Sequence, residues 1–322
     1  MRVAAIDIGT NTVLLLIAEV GPAGRLRAIV DRAEITRLGQ GVDRARTLAP
    51  EAIERTLACL REYAVEIGKH DVSDVGIVGT SAMRDAGGQA KGERSEFIEK
   101  AREILGVPPR VISGDEEAAL AFSGGLLELG LTGHATAFDI GGGSTEIISG
   151  EIGEEAAEVR QRRSLDIGSV RLFERHVRHD PPSTTEMSVV RAFVVDQLSS
   201  ISPPGEGLPL VGMAGTVTTL AAIARGIDPY DPARVHGLRL DAREIAQTAG
   251  RLALLPLAER RSLAGLDPKR ADVIPIGAAV VESIVAWARA EEVIVSDRGV
   301  RWGLALHLAR QQQRRRAEGR AE

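Results

Sequence analysis

The sequence predicts an α/β protein built from two copies of one folding unit. Two stretches repeat each other, residues 3–17 (VAAIDIGTNTVLLLI) and residues 135–150 (ATAFDIGGGSTEIISG). Each is an apolar run that ends on an aspartate, followed by a glycine-containing turn and a second apolar run. A second matching pair, residues 78–80 and 211–213, lies at nearly the same offset. Repetition at one offset indicates a duplicated unit, and 322 residues suffice for two domains of about 150 each.

Each repeated stretch is a candidate phosphate-binding hairpin. Glycines in the turn let the backbone approach a ligand, and successive backbone N–H groups can then cup an anion. The aligned aspartates, Asp7 and Asp139, are poorly placed to bind phosphate directly but suit a magnesium ion that neutralises it. A glycine-rich β-hairpin with a turn aspartate is the alternative for either stretch alone. Two such hairpins facing each other could grip a phosphate chain from both sides.

Composition and charge are those of an ordinary globular protein and argue against a nucleic-acid binder. Apolar residues make up 44% of the chain, and the formal net charge is −5. Two Trp, two Tyr and five Phe are too few for a platform that stacks bases. Cys59 is the sole cysteine, so neither an internal disulfide nor a cysteine-based zinc site is expected.

Neither a membrane segment nor a secretory signal is expected. The chain enters a predicted strand directly after Arg2, and it lacks a run of about 18 apolar residues. The cytoplasm is therefore the expected location.

The first half alternates predicted strands and helices. Apolar runs predict strands over residues 3–8, 13–20, 26–33 and 75–79, and helical spacing predicts helices over residues 50–67 and 95–105. Pro50 suits the first turn of its helix, where the missing N–H costs nothing. The glycine-punctuated loop over residues 37–42 could reach a site, with a simple turn as the favoured alternative.

Two charged side chains of this half are candidate functional residues. Arg84 follows the end of a predicted strand, where ligands usually bind in α/β sheets, although a surface ion pair would also explain it. Ser113 and Glu116 form a capping-box pattern that starts a helix. Capping explains Glu117 less well, because it shares a face with the apolar Ala121. A carboxylate there could be partly desolvated, with a raised pKa that suits a general base.

The second half repeats the alternation. Strands are predicted over residues 135–140, 145–149, 210–213 and 293–295, and helices over residues 169–176, 184–198, 241–252, 272–290 and 300–308. Residues 158–168 begin with a charged stretch and end with the sequence SLDIG, and they precede the helix predicted from residue 169. Gly215 and Thr216 stand where a glycine turn leads into a helix, so an anion could bind at that N-terminus.

Several well-known site patterns are absent from the sequence. It has no G-x-x-x-x-G-K-[ST] phosphate loop, no H-E-x-x-H zinc motif and no G-x-S-x-G nucleophile turn. The glycines at 141–143 do not open a dinucleotide-binding helix, because residues 145–149 predict a strand.

Five stretches together resemble the exopolyphosphatase and guanosine pentaphosphate phosphatase family. They are DIGTNT from residue 7, GTSAMRDA from 79, ISGDEEA from 112, DIGGGSTE from 139 and AGT from 214. That family has the duplicated fold of actin, sugar kinases and heat-shock chaperone ATPases. The resemblance therefore implies two duplicated actin-like (ribonuclease H-like) domains with a cleft between them. It implies a first domain of residues 1–122 plus about 300–322, and a second of residues 123–299.

The resemblance also implies a set of site residues. The family's catalytic glutamate falls on Glu117 and its phosphate-contacting arginine on Arg84. Its metal-linked acids fall on Asp7, Asp139 and Glu146. Its phosphate-binding positions fall on Gly9, Thr10, Asn11, Gly141, Gly142, Gly143, Ser144, Gly215 and Thr216. The implied reaction is release of orthophosphate from the ends of inorganic polyphosphate by water attack, with Mg2+ as cofactor and K+ as a further candidate ion.

The motifs leave the substrate and the type of activity open. The same chemistry could act on guanosine pentaphosphate, because both molecules present a terminal phosphate. A sugar or acid kinase would share the fold. A non-catalytic polyphosphate or nucleotide sensor is also open, because the chain departs from the family pattern at Gly88 and Ala119. No nucleic acid and no membrane is expected as a partner, and a homodimer is expected because such folds commonly form one.

Overall fold

The computed structural model describes residues 1–21, 24–86, 91–153 and 157–318, and it divides the chain into two compact units. The first unit contains Met1–Gly124 and Val300–Glu322, and the second contains Gly125–Gly299. Each unit has a sheet and an apolar core of its own. Among the described residues, no helix is both long enough and apolar enough to cross a membrane.

The sheet in the described part of the first unit has five strands in the order β3-β2-β1-β4-β5. They are β1 Arg2–Ile8, β2 Thr12–Val20, β3 Leu26–Ile35, β4 Asp74–Gly79 and β5 Arg110–Val111. Strands β1 to β3 form an antiparallel meander, whereas β4 pairs in parallel with both β1 and β5. Strand β1 is buried on both faces, which explains why residues 3–6 form a continuous apolar run.

The helices that follow these strands are α1 Val42–Ala45, α2 Pro50–Ile67, α3 Ser81–Asp85, α4 Lys91–Leu105 and α5 Gly114–Gly125. Pro50 stands in the first turn of α2, as predicted. Helix α5 begins after Ser113, whose hydroxyl accepts a hydrogen bond from the backbone N–H of Glu116 at 3.1 Å. The predicted cap therefore starts α5 and places Glu117 in its first turn.

The sheet of the second unit, within the residues described, has six strands in the order β10-β11-β9-β6-β7-β8. They are β6 Gly133–Ile140, β7 Thr145–Ile152, β8 Ala157–Leu165, β9 Leu210–Met213, β10 Arg239–Asp241 and β11 Glu292–Val295. Strands β6 to β8 form an antiparallel meander, and β6 pairs in parallel with β9. A hairpin beside a parallel strand thus recurs in both units, as the repeated sequence predicts. Strand β8 escapes prediction because it is an edge strand with mostly exposed side chains.

The helices of the second unit are α6 Ser169–His176, α7 Thr184–Leu198, α8 Ala214–Arg225, α9 Pro232–Val235, α10 Ala242–Leu254, α11 Leu257–Arg260 and α12 Ile274–Ala288. Capping boxes start α7 and α10, with Ser183 and Asp241 as the capping residues. Helix α12 is apolar almost all round because it packs against several helices, α7 and α10 among them.

The last helix, α13 Val300–Glu318, belongs to the first unit. It is longer than the helix predicted over residues 300–308, because the polar residues that follow continue the same helix. Gly303 lets α13 approach α5 closely, since a Cβ there would overlap the carbonyl oxygen of Leu120. Helix α13 therefore supports α5, the helix that carries Glu117.

Candidate active site

The first hairpin turn, between β1 and β2, is a tight glycine loop. The backbone N–H of Gly9 donates to the carbonyl oxygen of Thr12 at 3.0 Å, which closes the turn. A Cβ at position 9 would lie 2.9 Å from that oxygen, so the turn has no room for a side chain. Thr10 and Asn11 complete the loop, and both are buried.

A neighbouring turn fixes the direction of the peptide groups in this first loop. The N–H groups of Thr36 and Arg37 donate to the carbonyl of Asn11 at 3.1 and 3.0 Å. The N–H of Gly39 donates to the carbonyl of Thr10 at 2.9 Å. In a trans peptide the N–H points opposite to the C=O. The N–H groups of Asn11 and Thr12, which follow these two carbonyls, therefore face away from residues 36–39. The glycine-punctuated loop over residues 37–42, together with Thr36, therefore supports the first hairpin.

The acidic and amide side chains beside this loop are buried. Asp7 is the second-last residue of β1 and is 8% exposed, and its register partners are Leu14 in β2 and Val78 in β4. It therefore lies at the carboxyl edge of the central strand. Asn11 Oδ1 is also buried, and it accepts no hydrogen bond from the described residues. A buried oxygen of this kind suits a water molecule or a hydrated cation.

An ion pair between a half-buried arginine and a buried glutamate lies in the same unit. Arg84 in α3 donates from Nη1 to Glu117 Oε2 at 2.5 Å and to the carbonyl of Ile112 at 3.1 Å. Glu117 is 8% exposed, and burial raises the pKa of its carboxyl above the ordinary value, whereas the charge of Arg84 opposes the shift. The structure thus brings together two residues that the sequence singles out separately. A carboxylate with a raised pKa, oriented by a guanidinium, can accept a proton from water.

The second hairpin turn, between β6 and β7, closes in the same way as the first. The N–H of Gly141 donates to the carbonyl of Ser144 at 3.0 Å. A Cβ at position 141 would lie 3.3 Å from that oxygen. The alignment of Gly9 with Gly141 therefore corresponds to one backbone role in both units.

The start of α6 holds the carbonyl groups of this second loop. The N–H of Ser169 donates to the carbonyl of Gly141 at 3.0 Å. The N–H groups of Val170 and Arg171 donate to the carbonyl of Gly142 at 2.9 and 3.0 Å. The peptide groups of the loop are therefore oriented with their carbonyl oxygens toward α6.

The side chain of Arg171 completes this support. Its Nε donates to the carbonyl of Gly143 at 2.5 Å, and its Nη2 lies 3.6 Å from Asp166 Oδ1. The carbonyl groups of Gly141, Gly142 and Gly143 therefore all point toward α6. The N–H groups of the same three peptide units belong to Gly142, Gly143 and Ser144, and they face the opposite side. Three successive N–H groups on one side of a loop can cup a phosphate oxygen.

Gly168 allows α6 to lie directly against the loop. A Cβ at this position would overlap backbone atoms of Gly142 and Gly143. The same approach is reinforced by Thr145, whose Oγ1 donates to the carbonyl of Ile167 at 3.1 Å. The contact therefore requires glycine for space rather than for an unusual backbone angle, since φ of Gly168 is −76°.

The acidic residues of the second unit lie on neighbouring strands. Asp139 is the second-last residue of β6, is 9% exposed and pairs in register with Glu146 of β7. Glu146 accepts a hydrogen bond from Ser164 Oγ at 2.8 Å. Within the described ranges, no group of three or more His, Cys, Asp or Glu side chains is arranged to hold a metal ion. Mg2+ often takes one or two carboxylates together with phosphate and water oxygens, so this donor set fits it.

The N-terminus of α8 is a further candidate phosphate site. Thr216 Oγ1 donates to the carbonyl of Ile140 at 3.3 Å, which ties α8 to β6. A Cβ on Gly215 would overlap the guanidinium of Arg270, so this arginine lies on the first turn of α8. Burial lowers the pKa of Arg270 below its ordinary value, yet an arginine keeps its charge at neutral pH. A helix N-terminus with a guanidinium beside it suits an anion.

The predicted site residues form two sets, one in each unit. The first unit carries Asp7, Gly9, Thr10, Asn11, Arg84 and Glu117. The second unit carries Asp139, Gly141, Gly142, Gly143, Ser144, Glu146, Gly215 and Thr216. Of the two departures from the family pattern, Ala119 is half-buried in α5, whereas Gly88 lies outside the described residues.

The structure adds four residues that sequence reasoning did not assign to the site. They are Gly39, Gly168, Arg171 and Arg270. The two glycines had a signal, because both stand in glycine-containing stretches between predicted elements. The two arginines had none, because most arginines in globular proteins are solvated surface residues.

Comparison with known proteins identifies the family. The model of the Ppx/GppA phosphatase family matches residues 16–312. A Mycobacterium tuberculosis protein named Exopolyphosphatase 2 is 40% identical over 96% of this chain and 98% of its own length.

Solved structures agree over nearly the whole chain. A structure of the Aquifex aeolicus PPX-GPPA enzyme superposes with a TM-score of 0.80 at 34% identity, covering 95% of this chain and 99% of the other. A structure of an exopolyphosphatase from Cytophaga hutchinsonii ATCC 33406 has a TM-score of 0.85 at 25% identity, covering 97% and 98% of the two chains. With its duplicated actin-like α/β fold, the chain belongs to the Ppx/GppA phosphatase family.

Proposed function

We propose that this protein is an exopolyphosphatase that releases orthophosphate from the ends of inorganic polyphosphate. The ion pair between buried Glu117 and half-buried Arg84 carries the proposal, because it combines a base of raised pKa with a guanidinium that suits phosphate. The exopolyphosphatase names of the M. tuberculosis relative and of the C. hutchinsonii structure support it. The enzyme is accordingly a phosphoanhydride hydrolase.

Glu117 has the central chemical role in this proposal. Phosphoryl transfer asks chiefly for positioning and for neutralisation of charge on the transferred group. Glu117 orients a water molecule and accepts its proton as the water oxygen bonds to the terminal phosphorus. The bridging phosphorus–oxygen bond breaks on the opposite side. The products are orthophosphate and a chain one phosphate shorter.

Backbone N–H groups and arginine guanidinium groups bind the phosphate oxygens in the proposed mechanism. The two glycine loops, Arg84, and the start of α8 with Arg270 supply these donors. Asp7, Asp139 and Glu146 are the acids proposed to hold Mg2+. When bound, Mg2+ supplies positive charge that offsets the charge of the phosphates.

Guanosine pentaphosphate is the second candidate substrate. The candidate residues suit phosphate oxygens, and both molecules present a terminal phosphate. A homodimeric state, a cytoplasmic location and stimulation by K+ belong to the same proposal. Light scattering after size-exclusion chromatography, cell fractionation and replacement of K+ by Na+ test them.

Phosphate release from defined polyphosphates, short and long, tests the proposed function. The assay is run with and without Mg2+, beside guanosine pentaphosphate and ATP. Metal-dependent release from polyphosphate is the expected result. Release from the guanosine compound alone would select the second candidate, and tight polyphosphate binding without release would select a sensor.

A further inference from the structure

Arg171 is a buried arginine whose contacts serve the second glycine loop. Its side chain is 3% exposed, and charged side chains are rarely buried unless they are paired. Its Nε donates to the carbonyl of Gly143 at 2.5 Å, and its backbone N–H donates to the carbonyl of Gly142 at 3.0 Å. One residue therefore holds two consecutive peptide groups, one through its side chain and one through its backbone.

We propose that Arg171 is a positioning residue for phosphate binding by this loop. It acts through the peptide group between Gly143 and Ser144 rather than by touching phosphate. Donation from a guanidinium to a carbonyl polarises the whole peptide group, so the Ser144 N–H on its far side becomes a stronger donor. The same bond prevents the peptide from flipping, and a flip would turn a carbonyl oxygen toward the phosphate. This inference rests on the proposed function, which assigns the loop to phosphate.

The glycine content of the loop explains why such support is needed. Gly142 and Gly143 have no Cβ, so their backbones sample more conformations than other residues do. Donors must be held in place beforehand if they are to bind an anion tightly. The first loop has Thr10 and Asn11 at the equivalent positions, and backbone donors of a neighbouring turn hold it. The loop with two freer residues is the one that receives a guanidinium.

Arg260 provides a matched structural control. Its side chain is 2% exposed, and it lies in the same unit. It donates from Nη1 to the carbonyl of Leu255 at 2.8 Å and from Nη2 to Asp180 Oδ1 at 2.9 Å. Like Arg171 it joins a backbone carbonyl to an aspartate, but its contacts connect α10 and α11 to the Asp180 segment. Its removal reports what the loss of a buried arginine does to the fold alone.

The experiment compares full-length Arg171→Met, Arg171→Lys and Arg260→Met with the wild type. Calorimetry measures the affinity for inorganic tripolyphosphate, phosphate release gives KM and kcat, and guanidinium chloride denaturation gives stability. We expect Arg171→Met to bind tripolyphosphate about tenfold to a hundredfold more weakly, with a similar rise in KM, because losing a charge-assisted hydrogen bond disfavours the binding conformation of the loop by about that factor. Arg171→Lys should lie between it and the wild type, because lysine keeps the charge but lacks the planar fork.

Arg260→Met should lose stability but keep the wild-type affinity for tripolyphosphate. Equal affinity in the wild type and both Arg171 variants would overturn the proposal. So would an affinity loss in Arg260→Met as large as that in Arg171→Met at similar stability. If Arg171→Met does not fold, Arg171→Lys carries the same comparison.

The same data separate this inference from the proposed function. A wild type that binds tripolyphosphate but releases no phosphate would contradict the hydrolase, and the affinity comparison would still decide the role of Arg171. A wild type that does not bind tripolyphosphate would contradict both.

Discussion

The two glycine loops are closed by the same hydrogen bond but are supported by different neighbours. The closing bonds, from Gly9 and from Gly141, are both 3.0 Å long. A turn over residues 36–39 supplies backbone donors to the first loop. The start of α6 supplies backbone donors to the second loop, and Arg171 adds a guanidinium. The closing bond lies inside the repeated sequence, whereas the supports lie outside it.

The two units therefore share the closed loop but differ in its support and in the charged residues that accompany it. The first unit carries the Glu117–Arg84 pair. The second carries Arg171 behind its loop and Arg270 on the first turn of α8. Under the proposed function, the first unit carries the base, Glu117, and the second carries Arg171, the positioning residue of its glycine loop.

Replacing Glu117 should have the largest effect. Glu117→Gln keeps the shape but removes the proton acceptor, so we expect turnover to fall by about 10²–10⁴-fold with little change in tripolyphosphate affinity. Glu116→Gln is the matched control, because Glu116 is the preceding residue of α5 and pairs with Arg110 in a solvent-exposed contact at 2.6 Å. Phosphate release and binding are measured on both variants. Wild-type turnover in Glu117→Gln would remove Glu117 from the mechanism.

Crowding the support of the second loop should have the next largest effect. The Cβ of Gly168→Ala would meet backbone atoms, which cannot rotate away, so we expect a loss of about 1–3 kcal/mol in the free energy of unfolding together with weaker tripolyphosphate binding. Gly250→Ala in α10 is the control, because its Cβ would meet nothing within 4 Å. Denaturation measures the stability of both variants, and calorimetry measures their affinity for tripolyphosphate. Unchanged stability and affinity in Gly168→Ala would contradict the close approach of α6.

Crowding the support of the first loop should have a smaller effect. A Cβ on Gly39 would overlap the Thr10 side chain and lie 2.9 Å from the Cβ of Ala82. These neighbours are side-chain atoms rather than the backbone atoms that Gly168→Ala would meet, so we expect Gly39→Ala to cost less, about 1 kcal/mol, the low end for an overpacked site. The same denaturation experiment compares it with Gly168→Ala. A cost as large as that of Gly168→Ala would show that the two supports are equally rigid.

The pH dependence of stability should show the smallest effect. The folded pKa of Glu117 is raised above its ordinary value of 4.5, so the folded protein binds this proton more tightly than the unfolded chain. The stabilisation from protonated Glu117 is therefore complete at low pH and is lost as pH rises from the ordinary to the raised value. Relative to the wild type, Glu117→Gln should gain stability over that interval, measured by denaturation between about pH 4 and pH 8. A constant stability difference would contradict the raised pKa.

The kinetic counterpart has the opposite sign. The carboxylate is the form that accepts a proton, so kcat/KM of the wild type should rise with pH over the same interval. A rate that is constant across the interval would argue against Glu117 as the base.

Local patterns made much of the fold predictable. The hairpins at Asp7 and Asp139 follow from apolar runs and glycine turns, and α2 begins at Pro50 as predicted. The cap at Ser113 is also local, since it joins residues three positions apart. Such features depend only on residues that are close together in the sequence, so a single sequence is enough to predict them.

The supports of the site depend on contacts between distant residues. Gly39 contacts Thr10, and Arg171 contacts Gly143, although the residues of each pair lie far apart in the sequence. Hydrophobic periodicity reports only on neighbouring residues, so it cannot predict these contacts. Strand β8 escaped prediction for a related reason: its place at the sheet edge depends on pairing with β7, not on an apolar pattern of its own. Tertiary contacts therefore determined the parts that local reasoning missed.

A single experiment tests the division between base and phosphate support most directly. Equilibrium binding of tripolyphosphate and single-turnover phosphate release are measured on Glu117→Gln and Arg171→Met, beside the wild type. The division predicts that Glu117→Gln binds like the wild type but releases almost no phosphate, whereas Arg171→Met binds weakly and still releases phosphate at saturating substrate. The reverse pattern, with binding lost in Glu117→Gln and retained in Arg171→Met, would contradict it.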